Sequence, residues 1–97
     1  MTARFCVDFN EMLESDLLML SQTDLRQNIH GQPVLLHEGL AVEVQEESLY
    51  ADGGHELLHA SGVVEANRTG TWTHVKWCCR LDAGGITGSN SQPKVLP

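Results

Sequence analysis

Apolar and polar residues alternate along most of this chain with a period of two, which is typical of β-strands that bury one side. The longest alternating segment spans residues 70–82 and contains both tryptophans. Its apolar face would carry Val75, Trp77, Cys79 and Leu81, and its mixed face would carry Trp72, His74, Lys76, Cys78 and Arg80. The pattern therefore predicts a central strand that directs Trp77 into the core.

Shorter alternating segments predict further strands at residues 4–9, 39–46 and 57–66. Gly62 in the last of these predicts a bulge or a sharp bend, because glycine weakens a regular strand. Residues 67–70, Asn-Arg-Thr-Gly, predict a hairpin turn that leads into the central strand.

Residues 12–20 fit both a short helix and a strand, and an apolar run of this length does not decide between them. We favour a turn at 14–16 followed by a strand at 17–21. Residues 22–33 are polar and contain Gly and Pro, so they predict a loop.

The fold class that these elements predict is all-β, a small barrel of about five strands that buries one face and leaves few edges open. The acidic residues 46–56 predict a long surface loop with a turn at Asp52-Gly53-Gly54. Residues 1–86 would form the single domain. Residues 87–97 are rich in Gly, Ser, Asn, Gln and Pro and predict a flexible C-terminal tail.

Composition narrows the class of protein. The 97 residues carry a formal net charge of −7 from 13 acidic and 6 basic side chains, a balance that repels nucleic-acid phosphates. Three cysteines, an odd number, argue against a disulfide framework and fit a reducing cytoplasm. No apolar run has the length of a signal-peptide core or a membrane span. We therefore expect a cytoplasmic protein whose partners are neither nucleic acid nor membrane.

Three runs carry a resemblance to a known group of proteins: LHEGLAVEV at 36–44, LHASGVVE at 58–65 and VKWCCRLD at 75–82. They resemble small uncharacterised bacterial proteins, some of which are carried on mobile elements such as integron gene cassettes. The resemblance covers residues 5–86 and implies an SH3-like barrel. It implies no activity and no cofactor. It departs at residues 54–56, Gly-His-Glu, where the group's loop is expected to hold acidic and amide residues.

The pentapeptide HELLH at residues 55–59 matches the H-E-x-x-H motif of zinc peptidases letter for letter. In those enzymes the two histidines stand one helical turn apart on one zinc ion, and the glutamate activates the zinc-bound water. Both flanks of the pentapeptide contain glycine and oppose a long helix. In a strand His55 and His59 would lie about 13 Å apart, too far to share a metal. A zinc-dependent hydrolase that uses this stretch is the alternative function.

The predicted binding surface is the mixed face of the central strand, with Trp72, His74, Lys76 and Arg80. An exposed tryptophan beside cations suits a ligand, a peptide or a second subunit. The adjacent cysteines should lie on opposite faces, Cys79 in the core and Cys78 half-exposed, with no catalytic role. The sequence therefore predicts a non-catalytic interaction module that binds itself as a homo-oligomer, another protein or a small molecule.

Overall fold

The computed structural model describes residues 2–49 and 53–90, and every regular element in those ranges is a β-strand. The predicted all-β class is therefore confirmed. The strands, in chain order, are β1 (Ala3–Cys6), β2 (Met12–Glu14), β3 (Leu17–Ser21), β4 (Leu25–Gln27), β5 (Pro33–Leu35), β6 (Ala41–Leu49), β7 (His55–Ala66), β8 (Trp77–Leu81) and β9 (Thr87–Asn90).

Seven of these strands form one mixed sheet: six follow the order β1-β6-β7-β8-β3-β2, and the seventh, β9, pairs with the long strand β7. One edge of β7 pairs with β6 from His55 to Val63. The opposite edge pairs with β9 over residues 56–59 and with β8 over residues 62–66. Strand β1 joins β6 in parallel, and the other pairs are antiparallel. Strands β4 and β5 form a separate two-stranded sheet.

The seven-stranded sheet does not close into a barrel within the described residues, since β1 and β2 are its end strands and no ladder joins them. Arg26 of β4 lies across this gap, which we call the open seam. Its guanidinium donates hydrogen bonds to the carbonyl oxygens of Leu20 in β3 and Cys6 in β1. The same group lies 5.6 Å from the ring centroid of Phe5. A side chain thus connects the end strand β1 to β3, the neighbour of the other end strand β2.

The main core lies on one face of the sheet, and Trp77 packs against it as predicted. The Trp77 indole N–H remains within reach of solvent and donates to the Asp24 carboxylate at 2.9 Å. The buried members of this core are Phe5, Leu18, Leu20, Leu36, Val42, Val44, Ala60, Val64, Cys79 and Leu81. Alternation in β6 and β8 therefore directs apolar side chains inward as the period of two predicts.

A second, smaller cluster covers the opposite face and corrects the expectation for Cys78. Leu17, Val75 and Cys78 pack together there with Met19 and Leu13 beside them. Cys78 is therefore fully buried rather than half-exposed. The same cluster places Val75 on the face opposite Cys79, because the chain is not a continuous strand between those two residues.

The central strand is shorter than predicted: strand structure covers only β8, and residues 67–76 form an irregular connection in place of a four-residue hairpin turn. Trp72 has a φ of 50° in this connection, which takes it out of the extended region. The Asn67 side-chain amide donates to the carbonyl oxygens of Thr71, Trp72 and Val75 at 3.0–3.1 Å. One amide therefore fixes the curve of the whole connection.

Some of the other predicted strand and loop boundaries are confirmed, and others are corrected. The turn followed by a strand at 17–21 is confirmed, and the strand predicted at 57–66 is present as the larger part of β7. The first strand ends at Cys6 rather than at residue 9. The predicted loop at 22–33 contains β4 and the beginning of β5. Short strands with few apolar residues were missed there, because their alternation is too brief to stand out.

The predicted acidic loop at 46–56 is largely a ladder. Strand β6 continues to Leu49 and β7 begins at His55, so Glu46 and Glu47 pair with apolar residues of β7. The predicted turn lies partly outside the described residues: Gly53 has a φ of 87°, and Asp52 is not among them. The predicted tail begins with a strand, since β9 pairs with β7, and residues 91–97 lie outside the described residues.

Gly62 does not form the predicted bulge, because its pairing with Val42 on one edge and Leu81 on the other runs without a register shift. Glycine at this position allows the neighbouring strand β8 to approach β7 closely. A Cβ at this position would lie 2.4 Å from the carbonyl oxygen of Arg80 and 2.6 Å from the Sγ atom of Cys79. Only glycine fits at this close contact between the paired strands β7 and β8 without displacing the backbone.

Candidate functional site

The four predicted binding residues fall into different surroundings. Trp72 and His74 lie in the connection at 67–76, with their rings stacked at 6.2 Å between centroids and 15° between planes. Both are exposed. They form a flat aromatic surface, which would suit a contact site. Lys76 and Arg80 both form ion pairs, so the charge that each offers to a ligand depends on its carboxylate partners.

Arg80 holds three carboxylates at once. Its Nη1 lies 2.9 Å from Glu14 and 2.7 Å from Asp16, and its Nη2 lies 2.7 Å from Glu65. Hydrogen bonds to Glu65, then Glu14 and Asp16, raise the pKa of Arg80. One cation among three anions leaves a net negative group that would not attract an anionic ligand. Arg80 ties β2 and β7 to β8, and we do not include it in the proposed contact surface.

Lys76 belongs to one of two ion pairs that join residues 24–38 to residues 66–76. Its Nζ lies 2.7 Å from Asp24, and hydrogen bonds from Lys76 and the neighbouring indole lower the pKa of Asp24. Arg68 contacts Glu38 through two hydrogen bonds of 2.9 and 3.2 Å, and this contact lowers the pKa of Glu38. The two pairs hold the β4–β5 hairpin against the connection at 67–76.

The surface formed by residues 25–37 and 66–76 contains no aspartate or glutamate, and we call it the acid-free face. Together with the three acids that directly flank it, Asp24, Glu38 and Glu65, it carries three acidic and three basic residues and no formal net charge. The rest of the chain carries ten acids and three bases, a net charge of −7. Three of the five histidines also lie on this face, at positions 30, 37 and 74.

The acid-free face also carries most of the exposed apolar surface of the described residues. Leu25 and Leu35 are directly opposite each other across β4 and β5 and are 57 % and 64 % exposed. Ile29 at 40 % and Trp72 at 38 % are also exposed in these two segments. Two further large apolar side chains are exposed elsewhere, in β7 and before β9. Clustered apolar groups on an exposed surface are typical of contact surfaces.

A separate cleft of about 660 Å³ opens at the open seam, between the end of β1, the connection at 7–11, β3 and β4. Arg26, Glu11 and Asp8 line it together with Cys6. Burial lowers the pKa of Arg26, while nearby Cys6 and Glu11 act in the opposite direction. Among the residues the structure describes, Arg26 is the one Lys or Arg without a carboxylate within 4.0 Å.

The HELLH stretch lies in β7, so the expected extended backbone is confirmed from His55 to Ala66, although it does not continue through the connection at 67–76. His55 and His59 share one face of the strand, with Leu57 between them, and Glu56 lies on the other. The Glu56 carboxylate lies over Gly88, 2.8 Å from where a Cβ of that residue would stand. Within residues 2–49 and 53–90 no group of three or more His, Cys, Asp or Glu side chains is placed to hold a metal ion.

The three thiols are not equivalent. Cys78 and Cys79 are fully buried, and burial raises the pKa of Cys78 to about 11 and that of Cys79 to about 12. Cys79 is thus a core side chain as predicted. Cys6 is exposed and unpaired at the mouth of the cleft. A buried thiol with a raised pKa is a poor nucleophile, so any thiol chemistry of the native protein belongs to Cys6.

Sequence reasoning missed Arg26 and the leucine pair of the hairpin. One signal was present: residues 25–37 contain no acid in a chain that otherwise holds 13. Two leucines within a polar, Gly- and Pro-containing segment pointed in the same direction. The partners of Arg26 gave no such signal, because they are carbonyl groups from distant strands.

Comparison of the chain with protein-family models, curated proteins and solved structures found no match. In the part of the chain that the structure describes, no helix has the length and apolar character needed to cross a membrane. The functional argument therefore starts from the geometry of the two surfaces, the acid-free face and the cleft at the open seam.

Proposed function

We propose that this chain is a small non-catalytic interaction module, and that it binds a second copy of itself through the acid-free face. The observation that supports the proposal is the exposure of Leu25 and Leu35 on a hairpin that forms its own two-stranded sheet. A two-stranded sheet is marginally stable by itself in water. Burial against a partner would stabilise the hairpin, since a fully buried leucine contributes about 1.5–3 kcal/mol relative to an exposed one.

The distribution of charge over the chain supports a second copy of this chain as the partner of the acid-free face. Most of the surface is acidic, so two copies that approach each other elsewhere repel. The acids that flank the acid-free face are each paired with a base of the same chain, Asp24 with Lys76, Glu38 with Arg68 and Glu65 with Arg80. Two such faces can meet around a twofold axis without like charges in opposition, and the leucines of one copy would then pack on those of the other.

The narrower class is also part of the proposal: an SH3-like domain of the kind carried on mobile gene cassettes, located in the cytoplasm. The similarity of the runs at 36–44, 58–65 and 75–82 supports the class. The three unpaired cysteines support the compartment. DNA sequencing on both sides of the gene tests the origin. A cassette recombination site beside the gene would agree with the proposal, and a fixed chromosomal operon would contradict it.

Light scattering coupled to size-exclusion chromatography tests self-association. The expected mass is twice the 10.7 kDa of one chain. Leu35→Glu places a charge on the acid-free face and should give the mass of one chain. Val63→Glu is the matched control, because Val63 is also an exposed strand residue, 44 % accessible, but lies in β7. A monomer for the unmodified chain, or equal effects of both variants, would overturn the proposal.

The alternative of a zinc-dependent hydrolase is tested by elemental analysis of the purified protein. Its two histidines lie four residues apart in a strand, a separation of about 13 Å. Stoichiometric zinc that disappears in His59→Ala would favour the hydrolase over the module.

A further inference from the structure

We propose that the cleft at the open seam is a binding site for a small zwitterion of the α-amino-acid class. Arg26 would hold the carboxylate of this ligand, and Glu11 with Asp8 would hold its ammonium group. The cleft is lined by the end of β1, the connection at 7–11, β3 and β4. Leu25 borders both the cleft and the acid-free face, so Glu11, which lies outside that face, is the residue whose variant separates this proposal from self-association.

The first step of the argument is the uncompensated charge of Arg26. Arg4, Arg68, Lys76 and Arg80 each lie within 4.0 Å of a carboxylate, whereas Arg26 has no such partner among the described residues. Arg26 is also half-buried, and this burial lowers its pKa. A cation that is partly withdrawn from water and lacks a counter-ion favours an anionic ligand.

The second step is that the guanidinium is already oriented. Two of its N–H groups donate to the carbonyl oxygens of Leu20 and Cys6, and its plane lies near the Phe5 ring. A guanidinium has five N–H donors, so three remain for a ligand. Because these contacts hold the side chain in one place, a carboxylate would bind without the entropy cost of ordering a flexible arginine.

The third step separates a zwitterion from a simple anion. Glu11 is close enough to influence the pKa of Arg26, yet the two do not form an ion pair. Asp8 lines the same cleft and accepts a hydrogen bond from the backbone N–H of Asn10 at 2.9 Å. Two carboxylates in the cleft would repel a simple anion. A ligand that carries both charges satisfies the cation and the anions together.

The fourth step concerns size and side chain. Val7, Met19, Leu20 and Leu25 supply apolar lining beside the charged groups. The volume of about 660 Å³ lies within the range of roughly 300–1,000 Å³ found for small-molecule sites. The cleft therefore suits an amino acid with an apolar side chain, and L-leucine is a suitable probe.

Titration of the ¹⁵N-labelled protein by NMR tests the proposal with three probes that differ only in charge. L-Leucine carries both groups, N-acetyl-L-leucine lacks the ammonium group and L-leucinamide lacks the carboxylate. L-Leucine should shift amide resonances of residues 6–11 and 19–27, and each derivative should bind at least about tenfold more weakly, since a hydrogen bond to a charged group is worth roughly 1.5–3 kcal/mol.

Glu11→Gln is the decisive variant, because it removes the ammonium partner and leaves the Arg26 bridge intact. It should weaken L-leucine binding at least about tenfold and leave N-acetyl-L-leucine binding equal or tighter. Glu47→Gln, an exposed carboxylate in β6, is the control and should change neither. Arg26→Gln should abolish binding of both carboxylate probes, with the folded state checked by its NMR spectrum.

Alkylation of Cys6 provides an independent measurement, since it is the exposed thiol and lines the cleft. Saturating L-leucine should slow its reaction with iodoacetamide, followed by mass spectrometry. Absence of shifts with all three probes up to about 10 mM would overturn the proposal, as would equal affinity for the three. Neither outcome affects the light-scattering test of self-association, so the two proposals fail separately.

Discussion

Replacement of Gly62 by alanine adds a single methyl group at a backbone position that has no space for it. Gly62 lies in the middle of β7 and is paired on both edges, with Val42 and Leu81. The added Cβ would stand 2.4 Å from the carbonyl oxygen of Arg80 and 2.6 Å from Cys79 Sγ. Neither neighbour can move freely, because one is backbone of a paired strand and the other is a fully buried side chain.

The expected cost follows from these distances. Ordinary contacts of a carbon atom begin at about 3.4 Å, so the strands must separate by nearly 1 Å or the ladder between β7 and β8 must break. Overpacking in a well-packed core costs about 1–3 kcal/mol, and a backbone obstacle places this change at the upper end. The gain in helix or strand propensity from Gly to Ala is below about 1 kcal/mol and does not compensate. We expect Gly62→Ala to lower the free energy of unfolding by about 3 kcal/mol.

Urea denaturation followed by tryptophan fluorescence measures this loss, and the slope of the transition should not change if only the native state is affected. In a domain of this length a loss of 3 kcal/mol lowers the melting temperature by roughly 12–24 °C. Gly84→Ala is the matched control, because its Cβ meets only the flexible end of the Asp82 side chain at 3.2 Å. It should cost less than about 0.5 kcal/mol.

A double-mutant cycle with Cys79→Ala separates the two obstacles. Removal of Sγ leaves the Arg80 carbonyl in place, so the double variant should recover part of the loss and show a favourable coupling of about 1 kcal/mol. If the free energy of unfolding of Gly62→Ala lies within 0.5 kcal/mol of that of the unmodified chain, β7 and β8 do not approach each other as closely as described. The reason given for this glycine is then wrong.

Three further predictions concern charge and thiols. Arg80→Gln should lower the free energy of unfolding by about 1–2 kcal/mol in low salt and by less in 1 M NaCl, because salt screens the repulsion among the three remaining carboxylates. Urea titrations at both ionic strengths measure this difference. Cys78 and Cys79 should resist iodoacetamide at pH 8 until urea unfolds the chain, and mass spectrometry of modified peptides would contradict their burial if they react earlier. The lowered pKa values of Asp24 and Glu38 add stability above about pH 4 that is lost as pH falls through their folded pKa values. The urea midpoint should therefore fall in acid, and less so in Asp24→Asn.

The strands that the pattern predicts well are those with a buried and a wet side. Val42 and Val44 alternate with polar residues in β6, and this alternation has a direct physical cause in the pleat. The same rule misleads at residues 70–76, where letters alternate but Trp72 adopts a left-handed φ. A conformation fixed by the side chain of Asn67 and by tertiary packing leaves no periodic signal.

The remaining differences have a common origin in long-range contacts. Cys78 is buried because a second cluster covers its face, and that cluster depends on Leu17 from a distant strand. The acidic end of β6 is a strand because Glu46 and Glu47 pair with Leu58 and Leu57 of β7, partners that are distant in the sequence. For the candidate site, the exposed tryptophan was predictable from its neighbours. The bridge made by Arg26 was not, since its partners are backbone carbonyls.

The pairing of β3 with β8 has a consequence for how the chain acquires its structure. Glu14 and Arg80, joined by a hydrogen bond at this edge, are 66 residues apart in the chain. During synthesis Leu17, Leu18 and Leu20 remain exposed until the chain has grown past residue 81, because β3 pairs with β8. Closing so large a loop before its contacts form makes the rate-limiting step slow, in the range of milliseconds to seconds for sheets of this kind. Newly made chains at high concentration would therefore associate through β3 before they associate through any native surface.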